Sequence, residues 1–294
     1  MPQEEGATTL RQALAAGVER LTAKAVPSAR RDAEILLMHA AGLDRAFLLA
    51  NPNEHLAPGV LARYLEYLDR RSDSEPIQYI TGEQEFYGLR FHVSPDVLIP
   101  RPETEHLVEA LLARFPSDRT LNIVDIGTGS GALAVALAHS LPQAKVVAID
   151  LSKAALRVAS WNAEEHGVAN RIRFLESDLF NAVPRELFDV VVSNPPYVAE
   201  ADRHSLESQV RDYEPHEALF AGATGLEMYE RLIPQAHEHL KPGGLLVLEI
   251  GAGQQKKLER LLRDWNSLSF AADLQGIPRV AIARRKKDHP AAAT

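Results

Sequence analysis

The 294-residue chain contains no cysteine. That excludes disulfides, thiolate metal sites and a cysteine nucleophile, and it agrees with a reducing compartment. No stretch approaches the roughly 18 to 20 consecutive apolar residues of a membrane span, and Met1 to Arg20 has no apolar signal-peptide core. A cytoplasmic location without membrane attachment is therefore expected. Surplus positive charge is also missing: 32 Lys and Arg against 40 Asp and Glu leave a net charge of −8, and the only basic cluster is Arg284-Arg285-Lys286-Lys287. Lys and Arg supply most non-specific nucleic-acid affinity by neutralising phosphates, so stable nucleic-acid binding is not expected. The 11 histidines are scattered, with no His-x-x-x-His pair beside a Glu, and His237 and His239 read as a solvated helix face. No metal site is expected. What is present, 46% apolar and 24% charged residues, fits an ordinary globular chain long enough for about two domains.

Residues 1–73 read as a helical domain. Leu10, Leu14, Val18 and Leu21 share one helical face, as do Val60, Leu61, Tyr64, Leu65 and Leu68. Ser28 is placed to cap the second helix, and Pro58 suits the first turn of a later one. This domain carries no chemical constellation and is expected to dock a partner. Residues 74–100 read as a linker of short strands, with Ile77 and Tyr79 in one and a hairpin around Gly88. Residues 101–285 alternate strand and helix from Leu121 onward, which predicts a doubly wound, mostly parallel α/β sheet with its ligands at the carboxyl ends of the strands. Only Gln275 to Pro278 separate the last two strands, too few residues for a helical crossover, so the last strand is expected to be antiparallel. Residues 286–294 read as a disordered tail.

The chemically richest stretch is Asn194-Pro195-Pro196-Tyr197, directly behind the apolar strand Phe188 to Ser193. Each proline fixes its own φ, lacks a donor and keeps the preceding residue extended. The Asn194 side-chain carbonyl beside a fixed main-chain carbonyl of Pro195 can accept both hydrogens of an NH2 group and leave its nitrogen lone pair pointing away. Amide and aromatic amine nitrogens are poor nucleophiles because that lone pair is delocalised. Two acceptors favour the localised form reached in a transition state. The Tyr197 ring is placed to cover a planar amide or base, and the bland alternative is that Pro195-Pro196 merely ends a strand.

A second signal, Gly127-Thr128-Gly129-Ser130-Gly131, leaves the first strand of the sheet and opens its first helix. It implies a nucleotide-like cofactor, since glycines let a ligand approach the backbone. Gly127-x-Gly129-x-x-Ala132 also fits the loose dinucleotide pattern, and Asp150 after the second strand suits the ribose of either NAD or S-adenosylmethionine. Asp178 or Leu179 after the third strand would border an adenine. Singly, each carboxylate reads as a helix cap; together, four successive strand ends place these signals on one rim.

These residues carry a resemblance. The chain resembles the class I S-adenosylmethionine-dependent methyltransferases and, more closely, the protein-(glutamine N5) methyltransferase family that modifies peptide chain release factors. The matching stretches are Pro76 to Gly82, Phe86-Tyr87-Gly88, Leu98 to Glu105, Asn194 to Tyr197, Tyr213-Glu214-Pro215, Leu219 to Gly222, Lys241 to Gly244 and Glu249-Ile250-Gly251. Asn-Pro-Pro-Tyr alone is shared with DNA adenine methyltransferases. The resemblance implies a Rossmann-like fold, S-adenosylmethionine as cofactor and a release-factor Gly-Gly-Gln glutamine as substrate. It implies that Gly127 to Gly131 and Asp150 contact the cofactor, that Asn194 touches cofactor and substrate, and that Asn194 to Tyr197 grip the glutamine. Leu179 departs from relatives that carry an aromatic residue there. Expected alternatives are a ribosomal-protein glutamine or a nucleic-acid adenine as acceptor, an NAD-linked reductase, or a non-catalytic module of the same fold; a monomer is the expected state.

Overall fold

A computed structural model describes residues 8–287, so the outer part of the expected tail, 288–294, lies outside the described residues. The chain divides into two compact units, one of residues up to Gly82 together with Glu207–Tyr213, the other of Glu83–Leu206 and Glu214 onward.

The smaller unit is a bundle of α1 (Leu10–Ala23), α2 (Ala29–Ala41), α3 (Arg45–Ala50), α4 (Pro58–Ser72) and the single turn α5 (Ile77–Thr81). Thr9 and Gln12 form a reciprocal capping box at the start of α1, and Asp44 caps α3 through Phe47 N at 2.7 Å. Leu10, Leu21, Leu36, Leu37, Tyr64 and Leu68 fill the core. Gly17 is required by packing: a Cβ there would lie 2.0 Å from the Tyr64 hydroxyl. Asp32 and Arg71 form a buried ion pair at 2.8 Å, and Arg71 also donates to the Glu75 carbonyl at 2.9 Å. Two expectations are corrected. Ser28 stands at the N-cap of α2, but its ψ of 35° is not extended and its side chain makes no capping bond. Ile77 and Tyr79 lie in a helix and not a strand: Pro76 opens the turn, Gly82 at φ 76° ends it, and adjacent Tyr79 and Ile80 are both buried. A two-residue alternation is too short to distinguish those periods.

The larger unit begins with the hairpin of β1 (Glu83–Phe86) and β2 (Leu89–His92), turned by Tyr87 and Gly88 at φ 52° and 72°. Such a two-residue turn with both φ positive matches the right-handed twist of a hairpin. Phe86 and Phe91 are fully buried among the side chains of α6 (Glu105–Leu112) and the sheet, so the hairpin is part of this unit's core. The sheet then unfolds in order through β3 (Asn122–Ile126), α7 (Ala132–Ser140), β4 (Lys145–Asp150), α8 (Lys153–Glu165), β5 (Ile172–Glu176) and β6 (Phe188–Ser193). The helix Glu227–His239, β7 (Leu240–Glu249), the helix Gln255–Leu261, β8 (Asn266–Ala272) and β9 (Pro278–Arg284) complete it. Spatial order is β5-β4-β3-β6-β7-β9-β8, with β3 to β7 parallel and β9 antiparallel to both its neighbours.

Alternation along each buried strand sends side chains to two cores. Val190, Val192, Leu245 and Val247 pack with α6 and α7, while Val191, Leu246 and Leu248 pack with Tyr229, Leu232 and Leu258. Both sheet faces are therefore covered, as a parallel sheet requires. His239 is not a solvated face: its ring stacks on Phe180 with centroids 4.4 Å apart, because the helix end lies over the second core. Among the described residues no helix is long and apolar enough to cross a membrane. Of the basic cluster, Arg284 donates to Gly243 O at 2.7 Å and Arg285 to Leu240 O.

Candidate active site

The chain reverses direction in strand order between β3 and β6, and the carboxyl ends of β3, β4, β5 and β6 line a cavity of about 230 Å³. A crevice at such a reversal is where open α/β sheets bind ligands. Its wall contains Gly127, Gly129, Asp150, Asp178, Leu179, Asn194, Pro195 and Pro196. Thr128, Ser130, Gly131 and Tyr197 are not on the wall.

At the β3 end, Gly127, Gly129 and Gly131 all have positive φ, at 73°, 55° and 80°. A Cβ on Gly127 or Gly129 would meet nothing within 4 Å, so both backbones face open space where a ligand can approach. Gly131 has a different reason: its missing Cβ admits Ala159 of α8 at 3.0 Å. The turn is held by short-range bonds, with Gly127 N and Thr128 N donating to Ile149 O and Gly131 N to Thr128 O. Asp150 accepts from Gly129 N at 2.8 Å and from Ser152 N at 2.9 Å, which ties the glycine turn to the end of β4. Burial raises the Asp150 carboxyl above its usual range, and these backbone donors offset part of that rise. Thr128 turns inward to donate to Asp125 Oδ2 at 2.6 Å; burial pushes the fully buried Asp125 up to about 7. Ser130 contributes its carbonyl, which accepts from Asn162 Nδ2 at 2.8 Å.

Beyond β5, Asp178 is ion-paired with Arg231 of the facing helix, its oxygens 2.8 and 2.6 Å from Nη2. Leu179 holds φ 50° and is buried against the cavity. A leucine in the left-handed region costs about 1 to 2 kcal/mol, and such strain concentrates at functional sites.

At the β6 end, Ser193 Oγ donates to Ile126 O at 2.6 Å and locks the last residue of β6 to β3. Asn194 Nδ2 donates to Thr104 Oγ1 at 3.0 Å, and Thr104 Oγ1 lies 2.5 Å from Glu249 Oε2. Tyr197, expected over the substrate, is half-buried with its hydroxyl donating to Glu249 Oε1 at 3.2 Å. A phenol taken out of water needs a partner, and the buried carboxylate supplies one. Burial pushes Glu249 up to about 7, with the Thr104 and Tyr197 hydroxyls opposing. Gln254 Nε2 donates to Tyr197 O at 3.0 Å, and Gly251 leaves room for the Tyr197 ring, which a Cβ would meet at 3.0 Å. Arg101 and Glu214 pair at the rim, where Glu214 also accepts from Ile99 N at 3.2 Å.

Thr104, Glu249, Arg231 and Ser152 are among the site residues to which the sequence alone assigns no role. Ser152 had a local signal, two positions past Asp150. Thr104 and Glu249 lie in stretches that carry the resemblance, but nothing local assigns them a role, since each meets its partner only through the fold.

A mostly parallel sheet in this order, with a glycine turn after β3, a carboxylate after β4 and Asn-Pro-Pro-Tyr after β6, defines a class I methyltransferase. Residues 103–210 match the family model of the methyltransferase small domain, and residues 12–82 the PrmC N-terminal domain. Among solved structures, the fold is shared with a T. thermophilus 16S rRNA methyltransferase (RsmC) in complex with AdoMet and guanosine. That match has TM-score 0.54 and 22% identity over 69% of this chain and 50% of the other. The hMettl16 catalytic domain in complex with a MAT2A 3′UTR hairpin also matches, at TM-score 0.54 and 19% identity over 78% of this chain and 82% of the other. The chain is 46% identical to the release factor glutamine methyltransferase of Koribacter versatilis over 94% of its own length and 99% of the relative's. It is 44% identical to that of Moorella thermoacetica over 95% and 100%. The chain belongs to the release factor glutamine methyltransferase family.

Proposed function

We propose that this protein transfers the methyl group of S-adenosylmethionine to the side-chain amide nitrogen of the glutamine in the Gly-Gly-Gln loop of a peptide chain release factor. The observation that carries the reading is the sense of the Asn194 amide: its nitrogen is committed to Thr104, which leaves its oxygen as the acceptor beside Pro195 on the cavity wall.

The cavity fits the cofactor. Gly127 and Gly129 present bare backbone, Asp150 offers a carboxylate at ribose position, and Asp178 and Leu179 border the adenine end. Bound there, the sulfonium supplies an electrophilic methyl group. The chain's own residues do the rest. Asn194 Oδ1 and the Pro195 carbonyl accept the two hydrogens of the glutamine NH2, turning its lone pair toward the cavity. Pro196 keeps Pro195 extended, and Tyr197 grips the side chain from the far end of the turn. No side-chain base is needed before attack, and the surplus proton on the methylated nitrogen leaves to solvent.

The helical unit, expected to span 1–73 ahead of a 74–100 linker and a 101–285 catalytic domain, serves in this reading to dock the release factor. The protein acts as a cytoplasmic monomer without stable nucleic-acid binding, in keeping with its net charge of −8. The test is transfer of labelled methyl into purified release factor, run beside a Gln→Glu variant of its Gly-Gly-Gln loop, a ribosomal-protein preparation and duplex DNA. Label found by peptide mass spectrometry on that glutamine alone supports the reading. Label only in ribosomal protein or in DNA overturns the substrate.

A further inference from the structure

We infer that Thr104 and Glu249 are positioning residues that fix which end of the Asn194 side-chain amide faces the cavity, an inference that rests on the methyl-acceptor reading above. An asparagine amide has a donor end and an acceptor end of almost the same shape, so side-chain packing alone does not choose between them. The reaction needs the acceptor toward the substrate. With Nδ2 turned inward, the substrate NH2 would meet two more hydrogens in place of a lone pair.

The hydrogen-bond network makes the choice by counting hydrogens. Glu249 is 2% exposed, and at pH above about 7, where it is a carboxylate, it can only accept. Thr104 Oγ1 lies 2.5 Å from Glu249 Oε2, a separation typical of a hydroxyl donating to a carboxylate, so the single Thr104 hydrogen is used there. Thr104 then has only lone pairs to offer Asn194, 3.0 Å away, and Asn194 must answer with Nδ2. Flipping the amide would set Oδ1 against those lone pairs, two acceptors facing each other in a buried place. Thr104 is itself 4% exposed, so water is not at hand to relieve the clash.

The same carboxylate holds the other end of the turn, because Glu249 Oε1 accepts from the Tyr197 hydroxyl at 3.2 Å. Its backbone is fixed in turn by Tyr229, whose hydroxyl donates to Glu249 O at 2.8 Å. Glu103 and Arg279 act on Glu249 with opposite sign and are the charges that bias it. One buried carboxylate thus sets both the orientation of Asn194 and the seat of Tyr197, from a strand two places along the sheet from β3.

The test uses Thr104→Val, which keeps the shape and removes the hydroxyl, Thr104→Ala as a second removal, and Thr104→Ser, which restores the hydroxyl. In release-factor methylation at pH 8, where Glu249 is mostly ionised, both removals should lower kcat about 10- to 100-fold at saturating substrates. KM for S-adenosylmethionine should stay within about threefold of wild type, and Thr104→Ser should recover most of kcat. An independent readout is the Asn194 side-chain NH2 pair in a ¹H–¹⁵N spectrum, assigned as the pair missing from Asn194→Ala. It should move in Thr104→Val and Thr104→Ala and hold its place in Thr104→Ser. An unmoved pair, or wild-type kcat in the two removals, overturns the inference. If the wild-type enzyme methylates no release factor, the substrate reading fails while the amide pair still decides the role of Thr104.

Discussion

The two ends of the cavity are built in different ways. The glycine turn after β3 is assembled from near neighbours and adjacent strands: backbone bonds to Ile149, a carboxylate at the next strand end, and the bare backbone of Gly127 and Gly129. The Asn-Pro-Pro-Tyr turn after β6 is assembled from side chains far apart in sequence. Thr104 is 90 residues from Asn194, Glu249 is 145 from Thr104, and Tyr197 is 52 from Glu249. Binding a cofactor asks for space, donors and a fixed backbone, which short segments can supply. Orienting an acceptor against an amide asks for a side chain whose two ends are told apart, which takes a buried network.

That contrast makes the ends separable, and the largest expected effect lies at the second. Asn194→Ala should lower kcat by about 100-fold or more, the scale of losing one preorganised acceptor, while calorimetry shows a smaller change in S-adenosylmethionine affinity. Equal losses in both would merge the two ends into one. At the first end, Gly129→Val places a β-branched residue at φ 55° and fills the open space. The backbone alone costs about 1 to 2 kcal/mol. Cofactor affinity should fall at least about tenfold, and unchanged affinity would show that the open space is not where the cofactor lies.

The buried carboxylate sharpens the comparison through pH. Glu249 sits at about 7 in the folded chain against 4.5 for a free side chain, so the folded state holds a proton that the unfolded chain has released. Its contribution is favourable below about 4.5 and is lost as pH rises through about 7. Glu249→Gln cannot ionise. The stability of this variant relative to wild type should therefore improve between pH 5 and pH 8, by on the order of 3 kcal/mol in denaturant titrations. A difference that stays flat with pH would mean that Glu249 is ionised throughout. The smallest effect is local: Ser152 caps α8 by accepting from Ala155 N at 3.1 Å, and Ser152→Ala should cost about 1 kcal/mol with kcat at saturating cofactor nearly unchanged.

The same contrast decides what the amino-acid order alone reveals. Gly127 to Gly131, Asp150 and Asn194 to Tyr197 are legible because each stands as a short pattern of residue types at a strand end that periodicity locates. The alternation of strands and helices and the four-residue link Gln275 to Pro278 likewise make the sheet and its antiparallel last strand legible. Thr104 and Glu249 are not legible as a pair, because only the pairing of β7 beside β6 brings Glu249 near the turn. Asp178 illustrates the middle case: its place at a strand end is legible, its ion pair with Arg231 is not. Local signals also mislead where they are short. Ile77 and Tyr79 alternate like a strand but form one helical turn, and Ser28 has the composition of a cap without its backbone geometry. Glu207–Tyr213 lies in a stretch with little period, so nothing in it shows that it belongs with the helical unit, where the Tyr213 hydroxyl donates to Asp73 O at 2.7 Å.

The most direct test of the account is a crystal structure of the protein with S-adenosylhomocysteine and a release-factor domain carrying the Gly-Gly-Gln loop. The glutamine NH2 is expected within hydrogen-bond distance of Asn194 Oδ1 and Pro195 O, with Asn194 Nδ2 still on Thr104. A glutamine amide bonded elsewhere, or an Asn194 turned to offer its nitrogen, would contradict it.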